Sequence, residues 1–223
     1  MPELAELKFT SDYVNKMSEG YLFTKVEKNP IHKCLDINAP YFEDKEFSIS
    51  SKSRGKELVL TMQHDSVQLP IQMTMGMTGY FRLHETGNEP KHAHLKFLRS
   101  DGMSLCFIDV RRFGKWKQGS IWNTDRGPDP TTEFAAFKEN ILSNIHKAAF
   151  KQPIYLLLMN QKYFNGIGNY LRAEIFHFRD QMCGRPTCLR IVRSYLTGRE
   201  LLRECGFMRM DVTWPYYRVC LMK

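Results

Sequence analysis

The sequence predicts an α+β chain: an N-terminal helix, a run of short strands, then an all-α stretch. Three observations carry this expectation. Residues 5–17 read as a helix that Gly20 ends. From Tyr21 to Val110 the pattern changes to short alternating segments. Beyond the breaker cluster Arg126-Gly127-Pro128-Asp129-Pro130 the apolar spacing becomes helical again.

Among the strands the clearest is Ile71-Gln72-Met73-Thr74-Met75-Gly76, apolar at every second position as a half-buried strand requires. Others are expected near residues 47–51, 57–62, 80–83, 94–97 and 105–108. Many short strands with turn signals between them suggest a sandwich or a barrel. The breaker cluster is the best domain boundary. After it, Phe134, Phe137, Ile141, Ile145 and Ala148 fit one helical face, and Pro153 opens a second, short helix. That helix runs into Tyr163-Phe164-Asn165-Gly166-Ile167-Gly168-Asn169-Tyr170-Leu171-Arg172, where two glycines break the apolar run. Leu171, Ile175 and Phe178 then share a new helical face. The tail from Arg179 carries nine Lys/Arg against four Asp/Glu, with a sustained apolar pattern only near residues 191–202. It reads as a basic helix plus a loose end.

With 223 residues the chain can bury a substantial core. No apolar run approaches the roughly 20 residues a membrane helix needs, and no signal-peptide apolar region opens the sequence. No membrane partner is therefore expected. Six irregularly spaced cysteines point to reduced thiols. A net charge of +8 suits a polyanionic partner, although basicity alone is poor evidence for one.

Several groups could carry chemistry. A glycine turn entering a helix leaves backbone N–H groups free at the positive end of the dipole, which is an anion site. Gly166 and Gly168 would form it, with Asn169 capping or donating and Arg172 adding a cation one turn in. By itself the turn is first read as a tight connection that needs glycine's backbone freedom. If Met1 is trimmed, Pro2 becomes a free secondary amine able to attack an electrophilic sugar carbon, and Glu3 is a carboxylate placed to move protons. By itself Met-Pro-Glu is an ordinary start. Lys56, entering a strand from the turn at Gly55, can set a point charge on a phosphate or simply be solvated. Two glycine-bounded turns hold large side chains at their tips: Met77 in one, Arg111, Arg112 and Phe113 in the other. Such groups can wedge into a duplex, or pack on the core. His92 and His94 would share a strand face, yet no third metal ligand is evident. Cys183, Cys188, Cys205 and Cys220 lack the two tight pairs of a structural zinc site. Neither a metal nor a cofactor is expected.

The start Met1-Pro2-Glu3-Leu4-Ala5-Glu6-Leu7 and the block Phe164-Asn165-Gly166-Ile167-Gly168-Asn169-Tyr170-Leu171-Arg172-Ala173-Glu174 together resemble the formamidopyrimidine-DNA glycosylase/endonuclease VIII family, most nearly its animal endonuclease VIII-like members. Ser53-Arg54-Gly55-Lys56-Glu57-Leu58, Gly76-Met77-Thr78-Gly79, His92-Ala93-His94-Leu95-Lys96-Phe97 and Phe107-Ile108-Asp109-Val110-Arg111-Arg112-Phe113-Gly114 follow in the family's order. The resemblance runs to about Phe178, about four-fifths of the chain. It implies an N-terminal helix on a two-sheet β-sandwich over residues 1–128, then a helix–two-turn–helix DNA-binding domain over 129–180, with DNA between them. It also implies a bifunctional base-excision enzyme, a glycosylase and AP lyase acting on oxidised bases by β,δ-elimination. Pro2 would be the nucleophile and Glu3 the proton shuttle. Lys56, in the same catalytic group, and Asn169 would hold phosphates. Met77, Arg111 and Phe113 would fill the gap left by the flipped nucleotide. Arg112, Arg172, Gly166 and Gly168 complete the expected DNA-binding set.

This sequence departs from the family in two places. Ala5 stands where a second proline belongs, and residues 181–223 hold no recognisable zinc finger, substitute hairpin or matching arginine. The expected identity is a truncated or alternatively ended member that acts on damaged DNA as a monomer in the nucleus (the cytoplasm, were the source prokaryotic). One alternative is a catalytically impaired DNA-binding remnant of the family. The other is a basic, non-repair binding module in which Pro2-Glu3 is accidental.

Overall fold

The computed structural model describes residues 2–182 apart from Leu35, Asn38 and Ser120. The chain divides into two units, Met1–Arg172 and Ala173–Lys223. In the first, helix α1 (Leu4–Ser18) precedes eight strands: β1 (Phe23–Lys28), β2 (Ser48–Arg54), β3 (Glu57–His64), β4 (Val67–Thr74), β5 (Tyr80–Glu85), β6 (Ala93–Arg99), β7 (Met103–Ile108) and β8 (Lys115–Gln118). They form two four-stranded antiparallel sheets, ordered β1-β6-β7-β5 and β2-β3-β4-β8. Helices α2 (Phe134–Asn144), α3 (Ile154–Leu157) and α4 (Asn169–Met182) follow.

One apolar core joins both sheets to α1. Phe23, Phe97 and Phe107 come from one sheet, Leu58, Leu60, Met62 and Ile71 from the other, Leu7 and Val14 from the helix. Leu4, Leu7, Ser11, Val14 and Ser18 are the buried face of α1, at the spacing a one-sided helix requires. β2 is an edge strand, whose open backbone groups need partners. Asn15 supplies them: its Nδ2 donates to Ser51 O at 3.0 Å, and Ser51 N–H donates to its Oδ1 at 2.7 Å.

The sequence pattern misses β1 and β8. Each buries a single residue, Phe23 and Trp116, and each lies at a sheet edge, so neither shows a run of alternating apolar positions. On the helical side α2 ends at Asn144, which leaves Ile145 and Ala148 outside it, and α3 is only four residues long. Among the described residues no helix is long and apolar enough to cross a membrane. The basic tail and its four cysteines lie outside the described residues.

Candidate active site and nucleic-acid interface

The site begins at the first turn of α1. Glu3 is 4% exposed, and its carboxylate is held by backbone N–H groups at the start of α4. Gly168 and Leu171 donate to Oε2 and Tyr170 to Oε1, each at 2.9 Å. These N–H groups have no partner within their own helix, and the dipole there favours a negative charge. The anion expected at this glycine turn is therefore a carboxylate of the chain itself. Glycine is required at 168, where a methyl would collide with the Glu3 carboxyl and stand 2.8 Å from Lys56 Nζ. Gly166 has φ +96°, and a methyl there would lie 2.6 Å from the Leu4 side chain. Leu4 N–H donates to Gly166 O at 3.1 Å, fixing the two segments together.

Lys56 sits in a two-residue connection between β2 and β3, with Arg54 paired to Glu57. Gly55, in the first central position with φ +58°, supplies the positive φ such hairpin turns demand. Burial pushes the Lys56 ammonium below its ordinary pKa; the Glu3 carboxylate opposes that shift and the Arg126 charge adds to it. Glu6 accepts the Glu3 N–H at 2.8 Å, and burial raises its carboxyl above the usual range against that hydrogen bond. Pro2 is half-buried at the head of α1.

A polar scaffold holds these pieces, and the sequence pattern did not reveal it. Asp129 Oδ2 accepts Gly55 N–H at 2.7 Å, while Arg54 Nε donates to Glu133 at 2.7 Å. Asn165, fully buried, packs against Gly55 and donates to Gly127 O at 2.9 Å. Arg126 bridges Gln161 Oε1 at 3.1 Å and Glu57 at 3.7 Å, and the same Gln161 oxygen accepts Gly166 N–H at 3.0 Å. The breaker cluster thus braces both the lysine hairpin and the glycine turn. Its aspartate, arginine and glycine looked like linker composition, which is why composition hid it.

Glu3, Lys56, Gly166 and Gly168 are brought together. Asn169 is exposed beside them, and Arg172 lies half-buried with Nη1 donating to Tyr155 O at 3.4 Å. Met77, Arg111, Arg112 and Phe113 form a second, exposed group on two adjoining turns, with the Arg111 guanidinium 4.8 Å from the Phe113 ring centre. Arg112 adopts φ +59°.

His92 precedes β6, while His94 lies at an irregularity in the β6–β7 pairing. The His94 ring is buried, with Nε2 2.9 Å from Asp109 O and 5.0 Å between its centre and that of His32. His32, which sequence reasoning passed over, stacks on Trp116 at 4.3 Å. Among the described residues no group of three or more His, Cys, Asp or Glu could hold a metal ion.

Comparison with known proteins gives one answer. The profile of the formamidopyrimidine-DNA glycosylase N-terminal domain matches residues 1–116. Endonuclease 8-like 1 of Mus musculus is 40% identical over 187 residues, covering 79% of this chain and 47% of the relative. The Homo sapiens protein of the same name is 39% identical over the same span, so the chain covers about half the length of these curated relatives. A Pelobacter propionicus formamidopyrimidine-DNA glycosylase is 27% identical over 225 residues, covering 92% of this chain and 79% of the relative. Two solved structures share the fold. One is a Lactococcus lactis FPG variant bound to a Fapy-dG-containing DNA, with TM-score 0.64 at 21% identity, covering 87% of this chain and 75% of that one. The other is Thermus thermophilus MutM, with TM-score 0.63 at 24% identity and coverage of 87% and 73%.

Proposed function

The chain belongs to the formamidopyrimidine-DNA glycosylase/endonuclease VIII family, and we propose that it is a bifunctional DNA glycosylase and AP lyase that repairs oxidised bases. The observation that carries this reading is the Glu3 carboxylate, fixed by three backbone N–H groups beside a buried lysine and one residue from Pro2.

With Met1 removed, the Pro2 nitrogen attacks C1′ of the damaged nucleotide. The C1′–base bond breaks, and the base leaves with a proton. Loss of the amine's own proton lets its lone pair break the C1′–O4′ bond, O4′ taking up a proton, and the ring-opened sugar is left as an iminium; this acidifies C2′–H, removing that proton expels the 3′ phosphate, and a second elimination expels the 5′ phosphate. Glu3 carries protons in these steps. The clamp on its two oxygens keeps it aimed at one place. Lys56 neutralises a phosphate near the lesion, assisted by Asn169 and Arg172. Met77, Arg111, Arg112 and Phe113 occupy the space the flipped nucleotide leaves.

In this reading residues 1–128 are the catalytic domain, 129–180 a helix–two-turn–helix DNA-binding domain, and 181–223 a divergent basic tail. The protein works as a monomer on damaged DNA, in the nucleus, without a cofactor.

A test is single-turnover incision of a duplex carrying an oxidised pyrimidine. Glu3→Gln places an NH2 against a backbone N–H and removes the proton carrier, so base release falls by about 10²- to 10⁴-fold. Binding to an abasic duplex changes far less. Equal base release by Glu3→Gln and wild type would reject the assignment, and binding without incision by the wild type would mark a DNA-binding remnant.

A further inference from the structure

We propose that Asp109 is a positioning residue that locks the Met77 turn and the Arg111–Phe113 turn into one rigid wedge. The inference rests on the reading above only for the wedge's use on DNA. The lock itself stands on contacts within the chain.

Asp109 is fully buried at the end of β7, and its polar atoms serve both turns. Oδ1 accepts the Thr78 hydroxyl at 2.5 Å from the first turn and Arg111 N–H at 3.2 Å from the second. Oδ2 accepts Gly114 N–H at 2.7 Å. Its carbonyl accepts Arg112 N–H at 3.3 Å and meets His94 Nε2 at 2.9 Å, while its own N–H donates to His92 O at 3.1 Å. Burial alone would raise the carboxyl's pKa, but the Thr78, Gly114, Arg111 and Phe113 donors outweigh it and hold the group below the usual carboxylate value. An ionised acceptor is what a cluster of donors needs.

The backbones also meet. At Gly76 (φ +62°) a methyl would stand 2.6 Å from Gly114 N and 2.9 Å from Phe113 Cβ. A methyl at Gly79 would stand 2.8 Å, and one at Gly114 2.5 Å, from the same Phe107 ring. The turns therefore share a floor, and Arg112 is held in the left-handed region above it. On this base Met77 and Phe113 project 47% and 52% exposed. Apolar tips on a preorganised base can enter a base stack without first ordering two loops. A single strand has no paired partner strand whose gap must be filled.

The test uses Thr78→Val, which cuts only the tie between turns, with Thr78→Ser as the conservative control and Asp109→Asn as the stronger break. Amide hydrogen exchange is read first on the DNA-free protein. In Thr78→Val, exchange across residues 109–114 accelerates about tenfold, although the substitution lies in the other turn, and Thr78→Ser restores it. A change confined to residues 75–80 would overturn the lock, whatever the protein does to DNA. Single-turnover excision of an oxidised pyrimidine is then compared on duplex and single-stranded oligonucleotides. Thr78→Val and Asp109→Asn slow the duplex reaction tenfold or more and leave the single-strand reaction within twofold. Equal slowing on both substrates would overturn the wedge role. A wild type inert on every substrate would instead refute the glycosylase reading and leave the exchange result to decide the lock.

Discussion

Glu3 shows how one carboxylate ties remote segments into a site. It leaves the first turn of α1 and ends on the first turn of α4, more than 160 residues away in sequence, with Gly168 as the only residue type that leaves room. Gly168→Ala should therefore reduce incision at least tenfold while far-ultraviolet circular dichroism stays unchanged; a fully active alanine variant would contradict the packing. His32 and His94 are the other informative residues. Burial lowers both pKa values below the ordinary 6.5, so as pH falls past that value the unfolded chain binds more protons than the folded one. Their contribution is complete above 6.5 and is lost as pH drops toward the folded values. His32→Phe, which keeps the stack on Trp116, should flatten the decline of urea midpoint between pH 7 and pH 5. Parallel profiles for the two proteins would refute this. At this scale the residues that gather around Glu3 were legible because Pro-Glu, Gly-Lys and the paired glycines are local patterns. Asp109, Asp129 and Asn165 were not, because a buried polar residue's partners lie far away in sequence.

At the scale of elements, the edge of β2 is closed by a helix rather than by another strand. Asn15 imitates a strand's donor and acceptor toward Ser51, and Ser11 Oγ accepts from Ser51 Oγ at 3.1 Å beside it. Asn15→Ala leaves both backbone groups of Ser51 unpaired and should destabilise the fold by about 1–3 kcal/mol in urea unfolding. A loss under about 0.5 kcal/mol would mean that water replaces the side chain. The strands legible in the sequence are those with several inward apolar positions, such as β3 and β4. Those that were missed, β1 and β8, each bury a single large ring at a sheet edge, too little to set a period. The cluster 126–130 marks a boundary by its composition, because glycine, proline and aspartate usually form turns. Here the same residues supply the hydrogen bonds that steady the Lys56 hairpin and the Gly166 turn.

For the whole molecule, a two-sheet sandwich with α1 at its edge brings the chain's first residues to the glycine turn that starts its last described helix. The N-terminal helix and the run of strands were legible from the change of period along the chain; the meeting of the first residues with the glycine turn at Glu3 was not. In the proposed reaction this convergence makes Pro2 the reacting amine. Lys56 is the obvious competitor, being a second amine beside Glu3 with a depressed pKa. The most direct measurement is borohydride trapping on an abasic duplex, using protein whose mass shows Met1 removed, followed by peptide mapping of the adduct. The sugar should be found on the N-terminal peptide, at Pro2. An adduct on the peptide containing Lys56, or none at all, would contradict this.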